Sequence, residues 1–277
     1  MVRSGGVALH TEVLINEAAQ NPDRTVLLLS EAEAPSSRWP LTLLEGLAQR
    51  VGRVCWFDTR DVGRSSWVDA PYTMSDLVAD AQAVLDAVDA SSADLFGRSM
   101  GGEIALRLGL SDPERVRSLF VVSSTPGRRE ELGMPEQWLV ERMSERLFAG
   151  EPGDLESRVA WVVDQLQWFN GPVFPFDRDV ELERIRQEVQ HGWRGANGHG
   201  LAVMEAEEVV DELRGLEVAT TIVHGTADPV LPVDHARALN LLIAGSALHL
   251  IEGLGHELPS TFVPQLLGIV DTHLASS

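Results

Sequence analysis

Residues 97–102 read Gly-Arg-Ser-Met-Gly-Gly, between a short apolar run (Asp94-Leu95-Phe96) and a helix-forming stretch from Glu103 to Leu108. This is G-x-S-x-G at the point where a strand passes into a helix, the pattern of a nucleophile elbow. Such a turn forces its serine into a costly backbone conformation. Only small residues fit beside it, which gives Gly97 and Gly101 a steric reason to be glycine. The elbow would hold the Ser99 hydroxyl clear of the sheet and turn the Met100 N–H toward a bound carbonyl. The competing reading is a glycine-rich turn that holds a serine by chance, and the rest of the chain has to decide between them.

The surrounding pattern alternates. Val7 to Val13 reads as an extended start, with Leu14-Ile15 as the return of an antiparallel hairpin. Thr25 to Leu29 is a continuous β-type run of the sort buried on both faces of a sheet, and Val54 to Phe57 is another. Leu41 to Val51 and Asp76 to Val88 repeat apolar residues at helical spacing. Leu119 to Val122 predicts the strand after the elbow helix. Alternating strands and helices predict a mostly parallel sheet with right-handed crossovers. From about Gly127 to Val210 the alternation stops and the chain reads as helical and acidic, broken by Gly171-Pro-Val-Phe-Pro-Phe176. Strands at Thr220–His224 and Ala247–Ile251 and helices at Val233–Leu242 and Phe262–Leu274 then resume the pattern. The expected organisation is an α/β core from residues 1–126 and 211–277, with a helical cap at 127–210.

Composition narrows the partners. The formal charge is −20, from 42 acidic and 22 basic residues, and every basic residue is arginine. That excess of acid argues against nucleic acid and anionic membranes. No apolar run approaches the roughly 20 residues that span a bilayer, and the first 11 residues lack the apolar stretch of a secretory signal. The single cysteine, Cys55, lies in a strand-like apolar run and reads as a buried thiol. A cytoplasmic, monomeric or small homo-oligomeric protein is expected. No metal site is suggested, since no two histidines stand at ligand spacing on one helix. No cofactor is suggested either: the elbow lacks the lysine of a P-loop.

Two late loops decide the elbow's meaning. Asp228, in Gly-Thr-Ala-Asp-Pro, and His256, in Gly-Leu-Gly-His, each follow a strand, at the edge of a parallel sheet where sites form. Alone, Asp228 would pass for a turn residue and His256 for one of eight incidental histidines. The order Ser, Asp, His, with each residue just after a strand, makes coincidence a poor account. Serine is a weak nucleophile at neutral pH. His256 would take the Ser99 proton and return it to the leaving group, and Asp228 would hold the imidazole tautomer. Oxyanion hydrogen bonds would come from Met100 N–H and from an amide after Leu29, with Ala32 in position to offer it. Ala32 lies between Glu31 and Glu33. A carboxylate about 6 Å from the oxyanion, at an effective dielectric of about 20, would oppose it by roughly 3 kcal/mol. The expectation is that both glutamates point to solvent; the alternative is a remodelled loop.

These residues together resemble the α/β-hydrolase superfamily over nearly the whole chain. Asp58-Thr-Arg-Asp-Val-Gly-Arg-Ser65 is similar to that superfamily's D-x-R-G-x-G-x-S loop, with Asp61 at the usual glycine. This loop, the Ser-Met-Gly elbow and Gly-x-Gly-His-x-Leu-Pro resemble aclacinomycin methylesterase-like hydrolases of polyketide pathways. The resemblance implies a serine esterase acting on a small-molecule carboxylic ester, with a methyl ester of a bulky aromatic metabolite as the specific case. It implies Ser99 as nucleophile, Asp228 as acid and His256 as base, and an oxyanion amide near Ala32, where relatives carry glycines and a loop about one residue longer. Trp161, Trp168, Phe169 and Trp193 would supply an apolar substrate wall or pack the cap on the core. Arg98 would pair with a cap glutamate or meet a substrate carboxylate. Cofactor-free haloperoxidases, proline iminopeptidases and non-catalytic ligand-binding homologues are the alternatives on the same fold.

Overall fold

The computed structural model describes residues 1–127, 131–190 and 198–277. Nine strands are present among them: β1 (Val2–Ser4), β2 (Val7–Leu9), β3 (Thr11–Ile15), β4 (Asn21–Leu29), β5 (Val51–Phe57), β6 (Ala93–Arg98), β7 (Val116–Val122), β8 (Ala219–Gly225) and β9 (Ala247–Ile251). The last seven form one sheet in the order β3-β5-β4-β6-β7-β8-β9, in which only β3 runs antiparallel to its neighbour. The parallel pairs are joined through α1 (Leu41–Arg50), α2 (Met74–Ala87), α3 (Met100–Ser111) and, late in the chain, α9 (Asp234–Leu242); α10 (Val263–Ser276) closes the fold.

Strand β4 explains why the core has two layers. Leu27 and Leu29 belong to an apolar cluster with Leu77 and Leu85 of α2 and Ile104 and Leu108 of α3. Val26 and Leu28, one residue out of phase, belong to a second cluster with Leu43 and Leu47 of α1 and Leu266 and Val270 of α10. Side chains alternate across a strand, so an unbroken run of Val and Leu feeds both faces.

The elements from Leu41 onward match the sequence reading closely. Helix α2 starts two residues earlier than its apolar spacing predicts, because Thr73 and Asp76 form a reciprocal capping box. The amino terminus differs. The hairpin pairs Val2–Ser4 with Val7–Leu9, while Thr11–Ile15 pairs separately with β5. Gly5 and Gly6, both at positive φ, make the tight turn that sets this register.

Between β7 and β9 lie α4 (Gln137–Ala149), α5 (Leu155–Phe169), α6 (Arg178–Gln190), α7 (His199–Met204), α8 (Val210–Leu213) and then β8. Helices α5 and α6 pack together around Val159, Val162, Val163, Leu166, Ile185 and Val189, a cluster separate from both sheet layers. Gly171–Phe176 connects them, as its glycine and prolines predict. Cys55 is fully buried, and burial pushes its thiol pKa up to about 12. Among the described residues no helix is long and apolar enough to cross a membrane.

At the amino ends of the central strands a buried polar network ties α10 to the sheet. Arg24 makes a bidentate ion pair with Asp94 at 2.9 and 2.6 Å. Ser118 Oγ donates to Asp94 (2.5 Å) and accepts from His273 Nε2 (2.7 Å); Thr221 donates to His273 Nδ1 (2.9 Å). Burial lowers the His273 pKa from 6.5 to about 4, and it lowers that of His199 by the same route to about 4. Both rings are neutral when folded but protonate near 6.5 when unfolded. Their contribution to stability is therefore full above pH 6.5 and is lost as pH falls toward 4, on the order of 3 kcal/mol for each ring. The melting temperature followed by circular dichroism is expected to drop between pH 6.5 and 4. A His273→Leu variant should melt lower at pH 7 and show a flatter drop across that interval.

Candidate active site

Four loops converge above the carboxyl ends of the parallel strands: those after β4, β6, β8 and β9. Ser99 sits between β6 and α3 at φ 52°, ψ −120°, a region that side chains other than glycine rarely occupy. Its neighbours leave no room for anything larger. A Cβ on Gly97 would lie 2.3 Å from the Gly101 carbonyl oxygen, and one on Gly101 would lie 1.9 Å from the Leu29 carbonyl oxygen. Both positions are therefore restricted to glycine on steric grounds, as the motif predicts.

The three residues singled out from separate parts of the sequence meet. His256 Nε2 lies 3.1 Å from Ser99 Oγ, and His256 Nδ1 lies 2.7 Å from Asp228 Oδ2. A carboxylate can only accept, so Nδ1 carries the ring proton and Nε2 accepts from the serine hydroxyl. Asp228 is held on its other side by the Val230 and Leu231 N–H groups, both donating to Oδ1 at 2.9 Å. Burial acts to raise the Asp228 pKa, but the His256 ring, His224 and the Leu231 N–H together outweigh it, and the carboxyl stays below the ordinary aspartate value. A second ring, His224, donates from Nε2 to the Leu231 carbonyl at 2.8 Å and lies 3.5 Å from Asp228. Burial lowers its pKa and keeps it neutral.

The His256 loop is docked onto the end of α5. His256 N–H and Glu257 N–H both donate to the Phe169 carbonyl, and Gly255 N–H donates to that of Asn170. A Cβ on Gly255 would lie 2.0 Å from the Phe169 oxygen, so the glycine allows this close approach.

A cavity of about 180 Å³ opens beside Ser99 and His256. Val162, Leu166, Phe169 and Val230 give it apolar lining; Glu31, Glu33, Arg38, Arg98 and Glu257 give it charged lining. Ala32 lies on the lining too, and Met100 opens α3, where first-turn N–H groups have no intrahelical acceptor. Phe169 stands edge-on to the His256 ring at 6.1 Å between centroids.

Three expectations need correction. Glu31 does not point to solvent: it is 8% exposed and pairs with Arg98 at 2.8 Å. Glu33 lines the cavity, and burial raises its carboxyl pKa against the pull of Arg38. Among the described residues Arg98 meets no glutamate of the 127–210 segment. It bridges Glu31 and Glu257 (3.2 Å) and donates to the His256 carbonyl at 2.9 Å. The partner in that segment, Glu188, is taken by Arg38 at 2.8 Å and Arg184 at 3.2 Å. Finally, Trp161 and Trp168 do not line the cavity. Both rings engage the Arg146 guanidinium, with each ring centroid 4.3 Å from it, and Trp161 also packs against the apolar cluster between α5 and α6. Trp193 lies outside the described residues.

Arg38 and Glu257 carry no sequence signal of their own. Their strongest partners, Glu188 for Arg38 and Arg98 for Glu257, lie more than a hundred residues away, and only the fold joins them. An Arg98→Met variant leaves Glu31 and Glu257 buried without their shared cation. Urea unfolding should show a loss of about 3–5 kcal/mol, the usual result of stripping one partner from a buried pair.

Similarity to known proteins agrees with this geometry. The family model for the alpha/beta hydrolase fold matches residues 32–261. Rhodomycin D methylesterase DnrP of Streptomyces peucetius is 28% identical, across 99% of this chain and 97% of its own. A non-heme chloroperoxidase of Streptomyces lividans is 29% identical across 79% of this chain and 81% of its own. Among solved structures, the esterase RhEst1 of a Rhodococcus species superposes with a TM-score of 0.78 at 20% identity, covering 99% of this chain and 98% of that one. With the sheet order and the elbow, these matches identify the chain as a member of the α/β-hydrolase fold family.

Proposed function

We propose that the protein hydrolyses a carboxylic ester by nucleophilic catalysis at Ser99. The observation that carries this reading is the unbroken line from Ser99 Oγ to His256 Nε2 and from His256 Nδ1 to Asp228, at 3.1 and 2.7 Å. Ser99 Oγ attacks the ester carbonyl carbon as His256 Nε2 takes its proton. The resulting imidazolium is stabilised by Asp228, whose depressed pKa keeps it anionic. The oxyanion is held by the Met100 and Ala32 N–H groups. Collapse expels the alkoxide, which leaves as the alcohol with the proton from His256. Water, deprotonated by the same ring, then attacks the acyl-enzyme; the acid is released and Ser99 regains its proton.

The specific substrate class in this reading is a methyl ester of a bulky aromatic acid. The two rhodomycin D methylesterase relatives, 28% and 29% identical, support it. The apolar lining of Val162, Leu166 and Phe169 suits an aromatic acyl group. A cavity of about 180 Å³ lies below the roughly 300–1,000 Å³ of pockets that enclose a drug-sized ligand. A bulky acyl part would extend past it beneath residues 127–210, which act in this proposal as a cap.

A second reading rests on the chloroperoxidase relative. The same acyl-enzyme taken by hydrogen peroxide in place of water gives a peracid, which oxidises bromide. Peroxide-dependent bromination in acetate buffer, with little ester turnover, would favour it.

Purified protein should turn over p-nitrophenyl acetate and be labelled by a fluorophosphonate at Ser99. Ser99→Ala is expected to abolish both, and Asp228→Asn to lower kcat by about 10⁴-fold through the wrong imidazole tautomer. Undiminished turnover by Ser99→Ala would refute the proposal.

A further inference from the structure

The motif around Asp61 is left over from the chemistry above, although it carries much of the family resemblance. The structure gives it a task. Asp61, where the family pattern has glycine, adopts φ 65° and accepts from Val68 N–H at 2.6 Å and Gly198 N–H at 3.3 Å. Gly198 immediately precedes His199, the first residue of α7. His199 is fully buried. Its Nε2 donates to the Arg60 carbonyl at 2.9 Å, which leaves Nδ1 as an acceptor. Nδ1 takes the Glu33 N–H at 2.9 Å. Arg60 is itself pinned by a bidentate pair with Asp80. Three residues on, Ser36 N–H and Oγ both donate to Asp58, at 2.7 Å each.

The turn that carries Ala32 is thus fastened at two points by one signature loop, directly through Asp58 and indirectly through His199. Glu33 occupies positive φ (64°), a conformation that a non-glycine residue keeps only when its surroundings impose it. The His199 bond holds the amide next to Ala32.

We infer that His199 is a positioning residue, which through Glu33 N–H fixes the turn so that Ala32 N–H is aimed at the oxyanion formed on Ser99. This rests on the reading of Ser99 as nucleophile and Ala32 as oxyanion donor. His199 itself is fully buried and does not line the cavity beside Ser99. Its ring stays neutral, with a pKa of about 4, so that Nδ1 remains an acceptor across the working pH range.

Two substitutions separate the ring's two nitrogens. The amide of asparagine falls near Nδ1 and that of glutamine near Nε2. His199→Asn retains an acceptor for Glu33 N–H, whereas His199→Gln retains only the link to Arg60. With p-nitrophenyl acetate, His199→Gln is expected to lose about 10²–10³-fold in kcat, the usual effect of one oxyanion donor, with KM within twofold. Affinity for a boronic acid, which forms a tetrahedral adduct on Ser99, should fall in proportion. His199→Asn should recover most of both. A readout independent of activity is amide hydrogen exchange over residues 30–36: faster in His199→Gln, near wild type in His199→Asn. Equal kcat in the two variants, whether both active or both impaired, or unchanged exchange in His199→Gln, overturns the inference. Failure of the esterase reading shows differently, as wild-type protein inert toward esters and fluorophosphonate.

Discussion

The close approach of helix α3 to strand β4 is the constraint on which the rest depends. Gly101 stacks directly on the Leu29 carbonyl, and Gly97 on the Gly101 carbonyl, at separations that no side chain survives. That contact forces Ser99 to positive φ and lifts its hydroxyl out of the sheet. It also brings the end of β4, and so the Glu31–Ala34 turn, beside the first turn of α3. The candidate nucleophile and both candidate oxyanion amides are consequences of one packing contact between two backbones. The parallel register then brings the Asp228 and His256 loops to the same edge, because β8 and β9 continue the sheet beyond β6 and β7 in the same direction.

A site that must stabilise a developing negative charge is lined here by carboxylates. Its electrostatics work because they are paired. Arg38, Arg98 and Arg184 stand against Glu31, Glu181, Glu188 and Glu257, three cations and four anions in one connected cluster. The roughly 3 kcal/mol penalty that a bare carboxylate about 6 Å away would impose is largely cancelled by a guanidinium 2.8 Å from Glu31. Arg98, next to Ser99 in sequence, also reaches the His256 carbonyl. One side chain therefore neutralises Glu31 and braces the histidine loop. Lysine could not do both, since its single ammonium lacks the planar spread of donors.

The sequence was most legible where local rules govern. The elbow needs its glycines within five residues. Strands β4 and β5 announce themselves as unbroken apolar runs, and helices α1 and α2 by their spacing. Asp228 and His256 were visible because chain order and the strand-end position narrow the choice. Legibility failed where the partner is distant. Nothing near Glu31 in sequence indicates that Arg98, 67 residues on, will draw it inward. Nor does the spacing of Trp161 and Trp168 show that Arg146 will engage both rings. The amino-terminal hairpin was misplaced for a simpler reason. The Gly5-Gly6 turn outranks a longer apolar run in setting strand register.

The same distinction bears on how the helical segment relates to the chemistry. If α5 and α6 were held to the sheet only by apolar contacts, their position would be loosely specified, since such contacts tolerate sliding. They are held by directional bonds. The Phe169 carbonyl takes two N–H groups of the histidine loop, and Glu188 takes Arg38 from the loop after β4. Both attachments end on residues adjoining the candidate machinery. Any displacement of α5 large enough to admit a bulky group must therefore strain the hydrogen bonds that place His256, unless it pivots about Phe169. The Gly255 backbone, which meets the backbone of residues 169–171 with no intervening side chain, is the natural place for such a pivot.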